Sequence, residues 1–127
     1  MIDKILVVDD DENWCFISKR MLRKASVGNE IITAKNGLEA LTKLQQYAAS
    51  GEKQPDLIFL DIKMPVMDGF EFLEEVSRLG NLNLSDTKIF ICSSSLHPKD
   101  QERAAQHAVA GFINKPFTVD VLRDIMV

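Results

Sequence analysis

Hydrophobic and polar positions along the chain follow two alternating patterns. Five short β-like segments predict strands, and a continuous apolar run such as 4–8 predicts a strand buried on both faces, because such a strand shows no polar alternation. Between them lie longer stretches in which apolar residues recur at helical spacing, and these stretches predict helices. The predicted strands are 4–8, 30–34, 56–60, 88–92 and 111–114, and the predicted helices are 12–26, 38–49, 70–79, 98–110 and 119–127.

The order of these elements predicts the fold. Five strands alternating with five helices are typical of an α/β fold with a mainly parallel sheet. Right-handed crossovers between parallel strands place helices on both faces of such a sheet, which gives a three-layer αβα sandwich. Asn36 and Gly37 are predicted to open the second helix, and Thr118 is predicted to cap the last one.

The helical spacing also predicts which side chains face the core. In the first helix Trp14, Ile17 and Leu22 belong to the apolar stripe, and Leu38 belongs to the stripe of the second helix. Phe16 falls off the first stripe and is expected to be exposed, as single surface apolar residues commonly are.

Length and composition limit the functional classes. A chain of 127 residues predicts one domain, residues 1–127. The net charge is −4 and no segment is strongly basic, so direct binding to nucleic acid is not expected. No apolar run approaches the roughly 20 residues of a membrane span, and the N-terminus does not resemble a signal peptide. The two cysteines form no CxxC motif, which favours a reducing, cytoplasmic location.

Chemically useful side chains follow four of the predicted strands. Asp9 and Asp10 follow the first strand, Asp61 the third, Ser93 the fourth and Lys115 the fifth. These side chains should meet, because the carboxyl ends of parallel strands lie at one edge of a sheet. Clustered carboxylates repel each other, and Mg²⁺ would relieve the repulsion while leaving room for phosphate oxygens. The pattern favours phosphoryl transfer, in which an aspartate can be the covalent acceptor.

Three segments carry a resemblance to a known family. Residues 5–11 (ILVVDDD), 57–69 (LIFLDIKMPVMDG) and 114–117 (NKPF) resemble, in order, the signature blocks of the receiver domain of two-component response regulators. The likeness covers essentially the whole chain and is closest to the single-domain, chemotaxis-regulator-like form. It implies a flavodoxin-like, doubly wound (βα)5 fold with a five-stranded parallel sheet in the order 2-1-3-4-5.

The resemblance implies a role for each residue at a matching position. Asp61 is the implied phosphoacceptor, and Asp10 is the implied direct ligand of Mg²⁺, for which Mn²⁺ could substitute. Asp61 and the backbone carbonyl of Lys63 would also bind the metal, and Asp9 would act through a water molecule. Lys63 and Ser95 stand at the two positions that tune phosphoryl hydrolysis in the family.

Other matching positions complete the implied switch. The hydroxyl of Ser93 would bond the phosphoryl group, and Lys115 is the implied active-site lysine, with a cis bond to Pro116. Phe112 stands at the switch aromatic position, but it has no hydroxyl to bond when it turns inward. Plain core packing remains an alternative for Phe112, and Ser94 remains an alternative to Ser93.

The implied function is that of a phosphorylation switch. A sensor histidine kinase or a histidine phosphotransfer protein would phosphorylate Asp61, and the face of the fourth helix, fifth strand and fifth helix would then change to control output. Autophosphorylation and slow autodephosphorylation would be the chain's own activities, so it is not expected to be a turnover enzyme. We expect a monomer or weak dimer, acting alone or within a larger regulator, with its downstream target unidentified.

Other interpretations of the same residues remain. The domain could act by protein contact without phosphate. It could also be a small phosphatase of the haloacid-dehalogenase-like class, although Asn13 stands where that class has Thr or Val. A calcium loop is excluded, because Trp14 stands where glycine is needed. Asp11 is interpreted as a helix-start acid, and Phe16 with Trp14 is a hypothetical kinase-docking patch.

Overall fold

Five parallel strands form a single sheet at the centre of the protein. The computed structural model describes residues 2–94 and 97–125. The strand order is β2-β1-β3-β4-β5, and every neighbouring pair is parallel, so the predicted fold and strand order are confirmed. In chain order the elements are β1 (Lys4–Val8), α1 (Glu12–Lys24), β2 (Glu30–Ala34), α2 (Gly37–Ser50), β3 (Leu57–Leu60), α3 (Gly69–Arg78), β4 (Lys88–Ser93), α4 (Pro98–Ala104), β5 (Gly111–Asn114) and α5 (Val119–Ile125).

The sheet is covered by helices on both faces. Successive strand residues point to opposite faces, so Leu6 and Val8 pack with α2, α3 and α4, whereas Ile5 and Val7 pack with α1 and α5. Both faces of the central strands are therefore apolar, which explains their uninterrupted hydrophobic runs. The predicted three-layer sandwich is confirmed. Among the described residues, no helix combines the length and apolarity needed to cross a membrane.

Local sequence signals set several helix ends. The Asn36 side chain caps α2 by accepting a hydrogen bond from the Glu39 amide at 2.8 Å. The helix ends at Gly51, whose φ of 75° suits a residue without a Cβ. Asp68 and Glu71 cap α3 reciprocally, since each side chain accepts a hydrogen bond from the other's backbone amide.

The last two helices differ from the predicted ranges in different ways. The structure ends α4 at Ala104 rather than at residue 110, because the amides of Gln106 and His107 bond to carbonyls three residues back and the chain then extends toward β5. The prediction from the alanine-rich composition of this segment made the helix too long. Thr118 accepts a hydrogen bond from the Val121 amide at 3.3 Å at the start of α5. Residues 126 and 127 of the predicted last helix lie outside the described residues.

Two predicted core positions are wrong. Ile17 and Leu38 are exposed, whereas the neighbouring Ser18 and Ala40 are fully buried. Ser18 tolerates burial because its hydroxyl donates to the Trp14 carbonyl at 2.7 Å. The buried faces of the two helices are therefore rotated relative to the predicted stripes. Phe16 is exposed, as predicted.

Candidate functional site

Three carboxylates converge at the carboxyl edge of the sheet. Asp9 directly follows β1, and its amide donates to the Ala34 carbonyl at 2.9 Å. Asp61 directly follows β3, and its amide donates to the Val8 carbonyl at 3.0 Å. Asp9, Asp10 and Asp61 each offer an oxygen within 4.8 Å of the others. Asp9 is 3% exposed and Asp10 is exposed, so the cluster has a buried side and an open side.

Lys115 brings a cation to this cluster from the end of β5. Its amide donates to the Ser93 carbonyl at 2.9 Å, which extends the β4–β5 pairing and fixes the backbone beside the acids. Its ammonium group donates a hydrogen bond to Asp9 Oδ2 and lies 3.6 Å from Asp61 Oδ1. The peptide bond between Lys115 and Pro116 is cis. A single ammonium group thus contacts carboxylates that follow two different strands.

Trp14 forms an inner wall of the site. The Lys115 Nζ lies 5.6 Å from the centre of the indole ring, and the ring packs edge-on against Phe117 at 5.0 Å between centroids. Because Trp14 is only 9% exposed, it offers little surface to the hypothetical docking patch with Phe16, and docking itself stays a prediction. Phe16 is 62% exposed on the same helix.

The electrostatics of the cluster favour an additional cation. Burial and the neighbouring Asp9 charge raise the pKa of Asp61 to about 6, although Lys115 partly offsets both effects. Burial would lower the pKa of Lys115, but the hydrogen bond to Asp9 and the charge of Asp61 outweigh it, so its pKa lies above the ordinary value. Three carboxylates face one ammonium group. This oxygen-rich donor set fits a hard divalent cation such as Mg²⁺.

The loop between β3 and α3 passes close under Asp61. Lys63, which is exposed, lies in this loop and helps to line an open cleft of about 590 Å³ that also reaches Asp10. At Gly69 a Cβ atom would clash with the Asp61 carbonyl oxygen, so only glycine fits this approach. The sequence signal for Gly69 was an Asp-Gly turn, and it gave no indication of this packing role.

The remaining predicted residues lie around the same edge. Ser93 is the last residue of β4 and is partly buried, whereas Ser94 is exposed beyond the strand. Phe112 pairs in register with Ile91 and packs, partly buried, against the core on the α2–α4 face. Ser95 lies outside the described residues. The position of Ser93 at the strand end fits the predicted assignment, while its role and the movement of Phe112 stay predictions.

The structure shows the hydrogen bonds of two further residues near the acids. Asp11 caps α1, because its side chain accepts hydrogen bonds from the amides of Asn13 and Trp14. Cys15 donates its thiol to the Asp9 carbonyl at 3.4 Å. Burial, together with the charges of the nearby acids, raises the pKa of Cys15 to about 11, so the thiol stays protonated at neutral pH.

Fold and site together define a small flavodoxin-like α/β protein with an acidic, lysine-paired cluster at the carboxyl edge of its sheet. A profile of the response regulator receiver domain matches residues 5–127, and the chain belongs to this family. Relatives span a wide range of organisms. The chain is 32% identical over 121 residues to the chemotaxis protein CheY of Bacillus subtilis, covering 94% of this chain and 91% of that protein.

Longer proteins and solved structures show the same likeness. The chain is 32% identical over 127 residues to the hybrid signal transduction histidine kinase L of Dictyostelium discoideum, covering 99% of this chain. It spans only 7% of the length of that kinase. A two-component response regulator from Cytophaga hutchinsonii has a similar structure, with a TM-score of 0.89 and 29% identity over 98% of this chain and 94% of the other.

Proposed function

We propose that the protein is a phosphoacceptor in two-component signalling, with Asp61 as the phosphorylated residue. The observation that carries the proposal is the position of the Asp61 carboxylate. It lies at the carboxyl edge of the sheet, with oxygens of Asp9 and Asp10 within 4.8 Å and the ammonium group of Lys115 at 3.6 Å. The phosphodonor would be a sensor histidine kinase or a histidine phosphotransfer protein. The similarity to a hybrid histidine kinase supports this class of partner.

The acids are suited to hold Mg²⁺, or Mn²⁺ in its place. Asp10 and Asp61 would be direct ligands together with the Lys63 backbone carbonyl, and Asp9 would contribute through water. When bound, the cation would neutralise charge on the phosphoryl oxygens and on the carboxylates. Asp10 suits a direct role because it is the exposed member of the cluster, whereas Asp9 is already bonded to Lys115.

The transfer itself is a displacement at phosphorus. An oxygen of the ionised Asp61 carboxylate attacks the phosphorus of a phosphohistidine, and the phosphorus–nitrogen bond breaks. The electron pair of that bond stays on the nitrogen, and the ring leaves as neutral imidazole because its other nitrogen keeps its proton. Asp61 becomes an acyl phosphate. Lys115 lies 3.6 Å from the Asp61 oxygen, so it can pair with the new negative charge. Hydrolysis by water later restores the carboxylate and releases phosphate.

The new charge would act as a switch. The Ser93 hydroxyl and Lys115 would bond the phosphoryl group, and this would bias the face formed by α4, β5 and α5. Phe112 lies on β5 within that face and would take part if it changes rotamer. The chain's own reactions are then autophosphorylation and slow autodephosphorylation, which make it a switch rather than a turnover enzyme.

Intact-protein mass after incubation with Mg²⁺ and acetyl phosphate tests this proposal. We expect one added phosphoryl group, absent from Asp61→Asn and from a sample with EDTA. Asp86→Asn, an exposed aspartate before β4 and away from the cluster, is the matched control and should gain the group. An adduct that persists in Asp61→Asn would contradict the assignment. No adduct and no binding of beryllofluoride would indicate a contact-only domain, and steady phosphate release from a phosphomonoester would support a phosphatase.

A further inference from the structure

Helix α4 is weakly attached to the rest of the protein. It has seven residues, all of them described, and only Ala104 is buried. Its N-cap residue, His97, makes no side-chain hydrogen bond to the helix. A short helix with one buried side chain and no side-chain cap has little to oppose local opening. Its position therefore depends on the few contacts made by its side chains.

Arg103 makes the side-chain contacts that join α4 to α3. Its guanidinium lies 4.2 Å from the centre of the Phe70 ring, within the range of a cation–π interaction. The same group forms an ion pair with Glu74 at 3.5 Å. Phe70 is buried at the start of α3, so its ring is a fixed surface. Two contacts from one planar group thus fix both the distance and the direction between the helices.

The α3 end of this link is close to the acidic cluster. Phe70 directly follows Gly69, whose amide donates to the Ile62 carbonyl at 2.8 Å and which passes so near the Asp61 carbonyl that a Cβ would clash with it. Arg103 also lines the open cleft that reaches Asp10. The contact chain therefore runs from the backbone of Asp61, through the start of α3, to the side chain that holds α4.

We propose that Arg103 is a positioning residue that fastens α4 to α3. It would thereby hold the switch face, which is the face formed by α4, β5 and α5, in its resting position. Its regulatory consequence rests on the proposed function, since α4 belongs to the face that phosphorylation would change. If activation requires α4 to leave this position, the binding-competent state is a minor population in the resting protein. Removing the Arg103 contacts would enlarge that population.

Hydrogen exchange of the metal-free protein tests the link without any phosphodonor. In Arg103→Ala, an exposed cation–π contact and an exposed ion pair are lost, so exchange at the amides of residues 101–105 should accelerate about 3- to 30-fold. Arg78→Ala is the matched control, because Arg78 pairs with Glu75 within α3 and does not reach α4 in the described structure. Unchanged exchange in Arg103→Ala, or equal acceleration in Arg78→Ala, would overturn the proposal.

Binding of beryllofluoride with Mg²⁺, followed by Trp14 fluorescence, tests the regulatory consequence. The half-saturating concentration should fall in Arg103→Ala by the same factor as the exchange accelerates, and Arg103→Lys should lie between it and the wild type. Faster exchange without tighter binding would overturn the regulatory role. A wild type that binds no beryllofluoride would instead refute the proposed function, and the exchange comparison would still decide whether Arg103 fastens α4.

Discussion

Replacing the proposed phosphoacceptor should make the metal-free protein more stable at neutral pH. The pKa of Asp61 rises from an ordinary 3.8 to about 6 in the folded protein, chiefly through burial and then through the charge of Asp9. The folded state therefore binds this proton more tightly than the unfolded state. Ionising Asp61 costs folding free energy, and stability falls as the pH rises from about 4 through 6. Asn at this position stays neutral and avoids the cost.

The size of the effect follows from the pKa difference. At about 1.4 kcal/mol per pKa unit, the rise to about 6 corresponds to roughly 3 kcal/mol once the carboxylate is fully ionised. This value already includes the attraction to Lys115 across 3.6 Å, and it is an upper limit because solvent screens the charge of a partly exposed carboxylate. We expect the free energy of unfolding to be about 1–3 kcal/mol higher in Asp61→Asn at pH 7.5 in EDTA. Near pH 4 the difference should fall below about 1 kcal/mol.

Urea unfolding at several pH values, with EDTA present, measures this difference. Asp86→Asn, which changes an exposed carboxylate, should match the wild type at every pH. Mg²⁺ should raise the stability of the wild type by about 2.7 kcal/mol at 100 times its dissociation constant, and should raise Asp61→Asn less. The reasoning fails if Asp61→Asn is no more stable than the wild type at pH 7.5, or if its advantage does not shrink toward pH 4.

Three other substitutions test the geometry of the site. Lys115→Ala leaves the buried carboxylate of Asp9 without its cation, so the free energy of unfolding, measured in urea at pH 7, should fall by about 3–5 kcal/mol. Added Mg²⁺ should restore part of this loss. Val66 has φ 70° and is 74% exposed, so Val66→Asn should raise the melting temperature through relief of about 1 kcal/mol of backbone strain; no rise would show that the loop is not strained. Gly69→Ala forces a Cβ against the Asp61 carbonyl, so it should lower the free energy of unfolding by about 1–3 kcal/mol and slow the formation of the acyl phosphate. Gly80→Ala is the control, because its Cβ would meet nothing within 4 Å, and it should not slow this reaction.

The accuracy of the sequence predictions depended on how local each signal was. Asn36 was predicted to open α2, and its side chain caps the helix by accepting a hydrogen bond from the amide of Glu39, three residues further along. The predicted length of α4 was wrong, because helix propensity along residues 98–110 was outweighed by the need to reach β5. Ile17 was placed in the core from its spacing, but the rotation of α1 on the sheet exposes it. Such rotation depends on side chains of other elements.

The meeting of Asp9, Asp10, Asp61 and Lys115 at one edge could be predicted from the sequence alone. It requires only that parallel strands end together and that each residue directly follows its strand. Tertiary structure decided how these groups pair: Lys115 bonds to the buried Asp9 and stands 3.6 Å from Asp61. It also decided that Trp14 is an inner wall, that Gly69 has no room for a Cβ, and that Arg103 joins α4 to α3. Local patterns set which segments form strands and which polar residues follow them, and the strand order was implied by the family resemblance. The side-chain contacts depend on distances between residues far apart in the chain, which only the packed molecule sets.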